Sequence, residues 1–156
     1  MLLYVSEVWG TSRLANIETA HLFACQRLLS VSDKTPNHMV YGETGRYPLY
    51  IDSTISSLRY WFKLSKMPMT RFPKQALVML KNRLDTNTTQ KNKNWAGSIK
   101  DCIESYGFHD VWTNGRAENE KAFLSAFKQR MIERFKQEWF TKKDFQLISH
   151  SNQFTS

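Results

Sequence analysis

The amino-acid sequence predicts an all-α protein, an irregular bundle of six to seven helices. Apolar residues recur at intervals of three and four through most of the chain, which is typical of helices with one buried face. Only six Gly and four Pro interrupt the 156 residues, so long helices have room to form. Gly, Pro or polar clusters stand between the periodic segments and mark where the helices end.

The first long helix is predicted over residues 12–31, after an apolar segment at 1–10. Ser12 is suited to cap its amino end. The helix then ends before the turn-rich residues that follow Val31. The residues at helical spacing, expected on its buried face, are Leu14, Ile17, Ala20, Ala24 and Leu28.

Two further helices are predicted before residue 68. Thr35-Pro36 is typical of a helix start, and Gly42 or Gly45 would end that short helix. Pro48 opens the next helix, which runs to about Met67. Its apolar residues at helical spacing are Ile51, Ile55, Leu58 and Phe62.

Three helices are predicted in the remaining chain, over residues 74–84, 95–106 and 117–140. Gly107 fits a left-handed stop after the second of them. The third carries a wide aromatic face, formed by Phe123, Phe127, Met131, Phe135 and Trp139.

The domain organisation follows from a polar stretch between these helices. Residues 86–94 are polar, and we interpret them as an exposed connector. We therefore expect one helical subdomain over 1–85 and a second over 95–145. A flexible tail is expected over 146–156.

The positive charge lies in one segment. The net charge is +8, and residues 59–100 hold ten basic residues against one acid, Asp85. An uncompensated cluster of this kind favours a polyanionic partner, although a solvated helix face remains the alternative. The candidate nucleic-acid-binding residues are Arg59, Lys63, Lys66, Arg71, Lys74, Lys81, Arg83 and Lys100. The first three stand at i, i+4 and i+7 and share one helix face.

No catalytic residues, metal ligands or cofactor are predicted. No two Asp are adjacent, so the paired-aspartate motif of polymerases is missing from this chain, and no phosphate-binding glycine loop or nucleophile motif occurs. His21 and Cys25 stand at i, i+4 but lack further ligands, so we interpret them as core residues. The two cysteines, Cys25 and Cys102, are expected to be buried free thiols in a reducing compartment.

Several stretches resemble the region that follows the polymerase core in reverse transcriptases of non-LTR retrotransposons, of the invertebrate type. Residues 2–10 read Leu-Leu-Tyr-Val-Ser-Glu-Val-Trp-Gly, and they depart from that family's pattern at Val5, where Gly is usual. The similarity continues to about Trp139. The other segments that carry it are 17–18, 21–29, 35–37, 40–49, 59–64, 106–108 and 111–112.

The resemblance implies a thumb-like or connector region that grips template and primer, with the thumb-like segment in residues 1–85. The family's catalytic aspartates lie in an upstream core. The chain is then expected to be a non-catalytic fragment or remnant that binds RNA or DNA backbone, with an upstream polymerase core as a further partner. A nuclear or cytoplasmic location is expected, without a membrane partner, since no run reaches the length of a membrane span. The alternative is a helical protein-interaction module that binds no nucleic acid.

Overall fold

A computed structural model describes residues 6–9, 11, 15–86 and 94–151, and every regular element in those ranges is an α-helix. The all-α prediction is confirmed, with seven helices of six or more residues and one single turn, α1. In chain order the helices are α1 (Ser6–Trp9), α2 (Ala15–Leu29), α3 (Asn37–Thr44), α4 (Leu49–Lys66), α5 (Phe72–Thr86), α6 (Trp95–Ser105), α7 (His109–Asn114) and α8 (Glu120–Ser151).

Helix α4 lies at the centre and contacts α1, α2, α5, α6 and α8. Pro48 precedes its first turn and Met67 ends it in an extended conformation, next to Pro68. All four residues of its predicted apolar stripe are buried. Ser53, Thr54 and Ser57 are buried as well. The hydroxyl of Ser57 donates a hydrogen bond to the carbonyl of Ser6 at 2.9 Å. Such small side chains allow α1 to approach α4 closely.

One hydrophobic cluster joins α4 and α5 to α6 and α8. Ile99 and Ile103 of α6 are fully buried, as is Phe127 of α8. The indole rings of Trp61 and Trp112 stack at 5.6 Å with 16° between their planes. This cluster draws on the chain both before and after the predicted connector. The division into two subdomains stays a prediction.

The connector itself falls mostly outside the described residues, which omit 87–93. Its first residue, Thr86, ends α5. Its last, Asn94, caps α6, because its side-chain oxygen accepts a hydrogen bond from the backbone N–H of Gly97 at 2.9 Å. The Asn94 amide also donates to the carbonyl of Leu80 at 2.9 Å. This one side chain therefore ties α6 to α5.

The buried face of α2 differs from the predicted one. Leu28 is 70% exposed, and both Ala20 and Ala24 are exposed. The residues that α2 buries are His21, Cys25 and Gln26. This buried face makes a polar contact, since the side-chain amide of Gln26 donates a hydrogen bond to the carbonyl of Asp33 at 3.2 Å. Leu14 of the predicted face and the predicted cap, Ser12, lie outside the described residues.

The helix ends agree with the glycine signals, and one helix is longer than predicted. Gly45 and Gly107 adopt left-handed backbone angles, with φ of 64° and 80°, where they end α3 and α6. Helix α8 begins at Glu120 rather than 117 and continues to Ser151 rather than 140. No Gly or Pro follows Gly115, so nothing in the chain interrupts this helix. Residues 152–156 of the predicted tail lie outside the described residues.

Candidate nucleic-acid interface

The basic residues of α4 lie on the exposed side of a helix that is otherwise buried. Arg59 and Lys63 are exposed, while the neighbouring Leu58, Trp61 and Phe62 are buried. Helical periodicity separates the two sets, because the apolar residues must face the core. The predicted shared face of Arg59, Lys63 and Lys66 is therefore the solvent-facing side of α4.

Helix α8 runs beside this face in the opposite direction. Near the start of α4, Lys128 donates to the carboxylate of Asp52 at 2.7 Å. Near its end, Lys66 contacts the carboxylate of Glu120 at 2.8 Å. Both contacts lie at the edge of the interface between α4 and α8, which we call the α4–α8 seam. They place the outward side of α8 next to the basic face of α4.

A groove of about 480 Å³ runs along this seam, and we call it the α4–α8 groove. It is lined by Asp52, Ile55, Ser56, Arg59, Lys121, Leu124, Ser125 and Lys128. Three cationic side chains share this groove with one carboxylate. Within the described part of the chain, Arg59 and Lys121 have no ion-pair partner. The groove therefore offers a positively charged, partly polar concavity to an anion.

Two predicted binding residues are instead engaged in packing. The ammonium of Lys74 donates to the carbonyl of Ser65 at 2.6 Å, next to the carboxyl end of α4. The ammonium of Lys81 lies over the Trp112 ring at 4.5 Å and over the Trp61 ring at 5.5 Å, within cation–π range. These side chains hold helices together, and their charges are less available to a ligand.

The remaining predicted residues are spread over other elements. Arg71 is exposed in the turn between α4 and α5, and Arg83 is exposed on α5. Lys100 is half-buried on α6. The structure brings Arg59 together with α8 residues and does not gather the whole predicted set into the α4–α8 groove.

Sequence reasoning missed Lys121 and Lys128. Both lie in residues 101–156, where eight basic and eight acidic residues balance. The net charge of that segment therefore gives no sign of the two lysines. Helical geometry nevertheless places both on the groove side. Their spacing of seven residues on one predicted helix was the available signal.

The other residues considered for chemistry are buried or half-buried. His21 and Cys25 are 6% and 2% exposed, in agreement with their interpretation as core residues. Among the described residues, no group of three or more His, Cys, Asp or Glu could hold a metal ion. Cys102 is half-buried on α6, and burial, together with the charge of Asp101, raises the pKa of its thiol to about 12. It is thus a poor nucleophile near neutral pH.

Comparisons with protein-family models, with curated protein sequences and with solved structures give no match to this chain. In the described residues, no helix is both long and apolar enough to cross a membrane. The geometry above is therefore the basis for a functional proposal.

Proposed function

We propose that this chain binds the backbone of RNA or DNA, without catalysing a reaction, through the α4–α8 groove and the exposed face of α4. The observation that carries the proposal is that Arg59, Lys121 and Lys128 line the same groove. These residues come from two helices, one in the strongly basic segment and one in the segment where acidic and basic residues balance. Their convergence is what a site for phosphates requires.

The charges in the groove favour binding of a polyanion over a role in solvation alone. Neighbouring cations repel one another, and Asp52 offsets only part of that repulsion. Phosphates in the groove would relieve it and release condensed counterions from the nucleic acid. The planar guanidinium of Arg59 can bind phosphate through two hydrogen bonds, whereas the lysines act as point charges. Lys63, exposed on the same face of α4, would extend the contact along the backbone.

A retroelement origin is the second part of this proposal. Its support is the resemblance of residues 2–10 and 40–49, with the other similar segments, to the region downstream of a non-LTR reverse-transcriptase core. On this proposal the chain is a non-catalytic fragment or remnant, acts in the nucleus or cytoplasm, and has a polymerase core as a partner. A polymerase core encoded directly upstream in the genome would support that origin. An unrelated single-exon gene with no such neighbour would contradict it.

The binding proposal is tested by a salt titration with a fluorescent RNA–DNA hybrid and a DNA duplex. Wild-type affinity should fall steeply with rising salt, with a slope of about 0.9 per phosphate contacted on duplex DNA. Substituting Arg59→Ala and Lys121→Ala together should weaken binding at low salt and lower the slope by roughly two.

The matched control removes the same charge elsewhere. Arg116→Ala with Lys136→Ala deletes two exposed cations that do not line the α4–α8 groove. This control should keep most of the wild-type slope. An equal loss in both double variants would show that net charge, rather than the groove, attracts the nucleic acid. No binding at low salt would refute the proposal.

A protein-interaction module is the second candidate, and one observation favours it. The outer side of α5 and the turn before it expose apolar side chains, with Phe72 at 83%, Met79 at 60% and Met69 at 56%. Patches of this kind are often contact surfaces. If the chain is such a module, the wild type should self-associate as its concentration rises in sedimentation velocity experiments. The double variant Phe72→Ser, Met79→Ser should remain monomeric. A monomeric wild type at all concentrations would remove that support.

A further inference from the structure

A second cavity, of about 330 Å³, lies between α2, α3 and α8, and we call it the aromatic pocket. Four aromatic rings and two carboxylates dominate its wall: Tyr41, Tyr50, Phe135, Trp139, Glu18 and Glu138. Its volume is within the range of small-molecule sites. The nucleic-acid proposal makes no use of it.

Tyr41, Phe135 and Trp139 each contact another ring that lines the pocket. Tyr41 meets Phe135 edge to face, with 6.1 Å between ring centroids. Trp139 stacks on His38 at 5.4 Å. Aromatic rings carry negative potential on their faces and positive potential at their edges. A wall of several rings therefore suits a cation that is weakly hydrated, such as an alkylated ammonium.

Glu18 is held in the wall by two donors. One of its oxygens accepts a hydrogen bond from the Tyr41 hydroxyl at 2.6 Å and another from the backbone N–H of Leu49 at 3.1 Å. Burial and this contact with Glu18 raise the pKa of Tyr41 well above its ordinary value. Tyr41 therefore stays protonated and keeps donating. The carboxylate is oriented before any ligand arrives, which lowers the cost of binding.

The second carboxylate stands nearer to solvent. Glu138 is exposed, and one of its oxygens lies 3.6 Å from Nε of Arg134, which does not line this pocket. None of the described residues that line the pocket is a Lys or an Arg. An anionic ligand would therefore meet two carboxylates and, among the described lining residues, no lysine or arginine, whereas a cation is attracted.

We propose that the aromatic pocket binds an organic ammonium ion with methyl or other small alkyl groups on nitrogen. The alkyl groups would contact the rings, and Glu18 and Glu138 would balance the charge. Such a group occurs in free cations such as choline and in methylated lysine side chains. The site is independent of the α4–α8 groove, because no residue lines both.

The test is a titration of the full chain followed by NMR, with the tryptophan indole N–H signals as readout. Choline is compared with 3,3-dimethyl-1-butanol, a neutral molecule of nearly the same shape. Choline should bind saturably, and the neutral analogue about tenfold more weakly. Equal affinity for the two, or no saturable shift with choline, trimethyl-lysine or tetramethylammonium, would overturn the proposal.

Two glutamates of α8 provide matched variants. Glu138→Gln should weaken choline binding by about threefold, because the carboxylate is partly screened by solvent. Glu133→Gln removes the same charge from the same helix outside the pocket and should leave binding unchanged. Equal weakening by both would contradict a local role for Glu138. The Trp139→Ala variant should bind choline about tenfold more weakly, or weaker still. Cooperative thermal unfolding of this variant checks that it is folded.

A third titration distinguishes the source of the ammonium group. Free trimethyl-lysine and a peptide containing it are compared with choline and with unmodified lysine. Tighter binding of the peptide would support the proposal and identify a methylated protein, whereas tighter binding of choline would support it and identify a free metabolite. Preference for unmodified lysine over every alkylated ligand would count against it.

Discussion

The α4–α8 seam and the α2–α3 pair are attached to the fold by different interactions. At the seam, Phe62 meets Phe123 edge to face at 5.5 Å, and both rings are buried. The α2–α3 pair depends instead on the hydrogen bonds that join Glu18 of α2 to Tyr41 of α3 and to the start of α4. One region is fixed by apolar area and the other by a few directed polar contacts.

This difference predicts how each region responds to substitution. Apolar packing distributes its stabilisation over many contacts, and its loss leaves a cavity. A buried hydrogen bond to a carboxylate concentrates its effect in two atoms and depends on the protonation of both. The seam should therefore respond to side-chain volume, and the α2–α3 pair to single polar atoms and to pH.

The largest expected effect is from Phe127→Ala. Phe127 is fully buried and lies 5.0 Å from the Tyr106 ring and 5.7 Å from the Phe123 ring. Removing the ring should lower the free energy of unfolding by about 3–5 kcal/mol, measured by urea denaturation. The control is Phe72→Ala, whose side chain is 83% exposed and should change stability by no more than about 0.5 kcal/mol. Similar losses in the two variants would contradict a core centred on this seam.

A smaller effect is expected from Tyr41→Phe, which removes the hydroxyl and keeps the ring. The variant leaves Glu18 with one donor fewer in a half-buried position. The free energy of unfolding should fall by about 1.5–3 kcal/mol. Tyr47→Phe is the matched control, because Tyr47 is half-buried and also meets the Phe135 ring edge to face, at 6.4 Å. If the control costs as much as Tyr41→Phe, the polar contact does not anchor α3.

The Tyr41 hydroxyl should also make the free energy of unfolding depend on pH. The pKa of Tyr41 is raised in the folded state, while in the unfolded chain it is near 10. Above pH 10 the unfolded state loses this proton and the folded state keeps it, so stability falls as pH rises. The expected loss is about 1.4 kcal/mol at pH 11. Urea titrations at pH 8 and pH 11 should show this loss in the wild type and a smaller one in Tyr41→Phe. Equal losses would assign the dependence to other groups.

The contrast also explains what the sequence could predict. On α4 the spacing of Ile51, Ile55, Leu58 and Phe62 identified the buried stripe correctly, because burial there is apolar and follows the helical period. On α2 the same reasoning chose Leu28, which is 70% exposed. The buried face of α2 includes His21 and Gln26, which a hydrophobic pattern does not register.

The candidate site was predictable only in part, for a related reason. Arg59 was identified because its segment has a large excess of positive charge. Lys121 and Lys128 were not, since residues 101–156 hold as many acids as bases, although none of the acids described there lines the groove. Which charges share a groove depends on the direction in which α8 crosses α4, and a single sequence contains no direct signal for that crossing.

The smallest expected effect concerns the ion pair at the rim of the seam. Asp52 and Lys128 are 2.7 Å apart, yet their side chains are 49% and 44% exposed, so solvent screens the attraction. A double-mutant cycle with Asp52→Ala and Lys128→Ala should give a coupling of no more than about 0.5 kcal/mol, which decreases further in 1 M salt. A coupling above roughly 2 kcal/mol would mean that α8 is held to α4 by charge as well as by its aromatic face. The seam and the α2–α3 pair would then differ in degree rather than in kind.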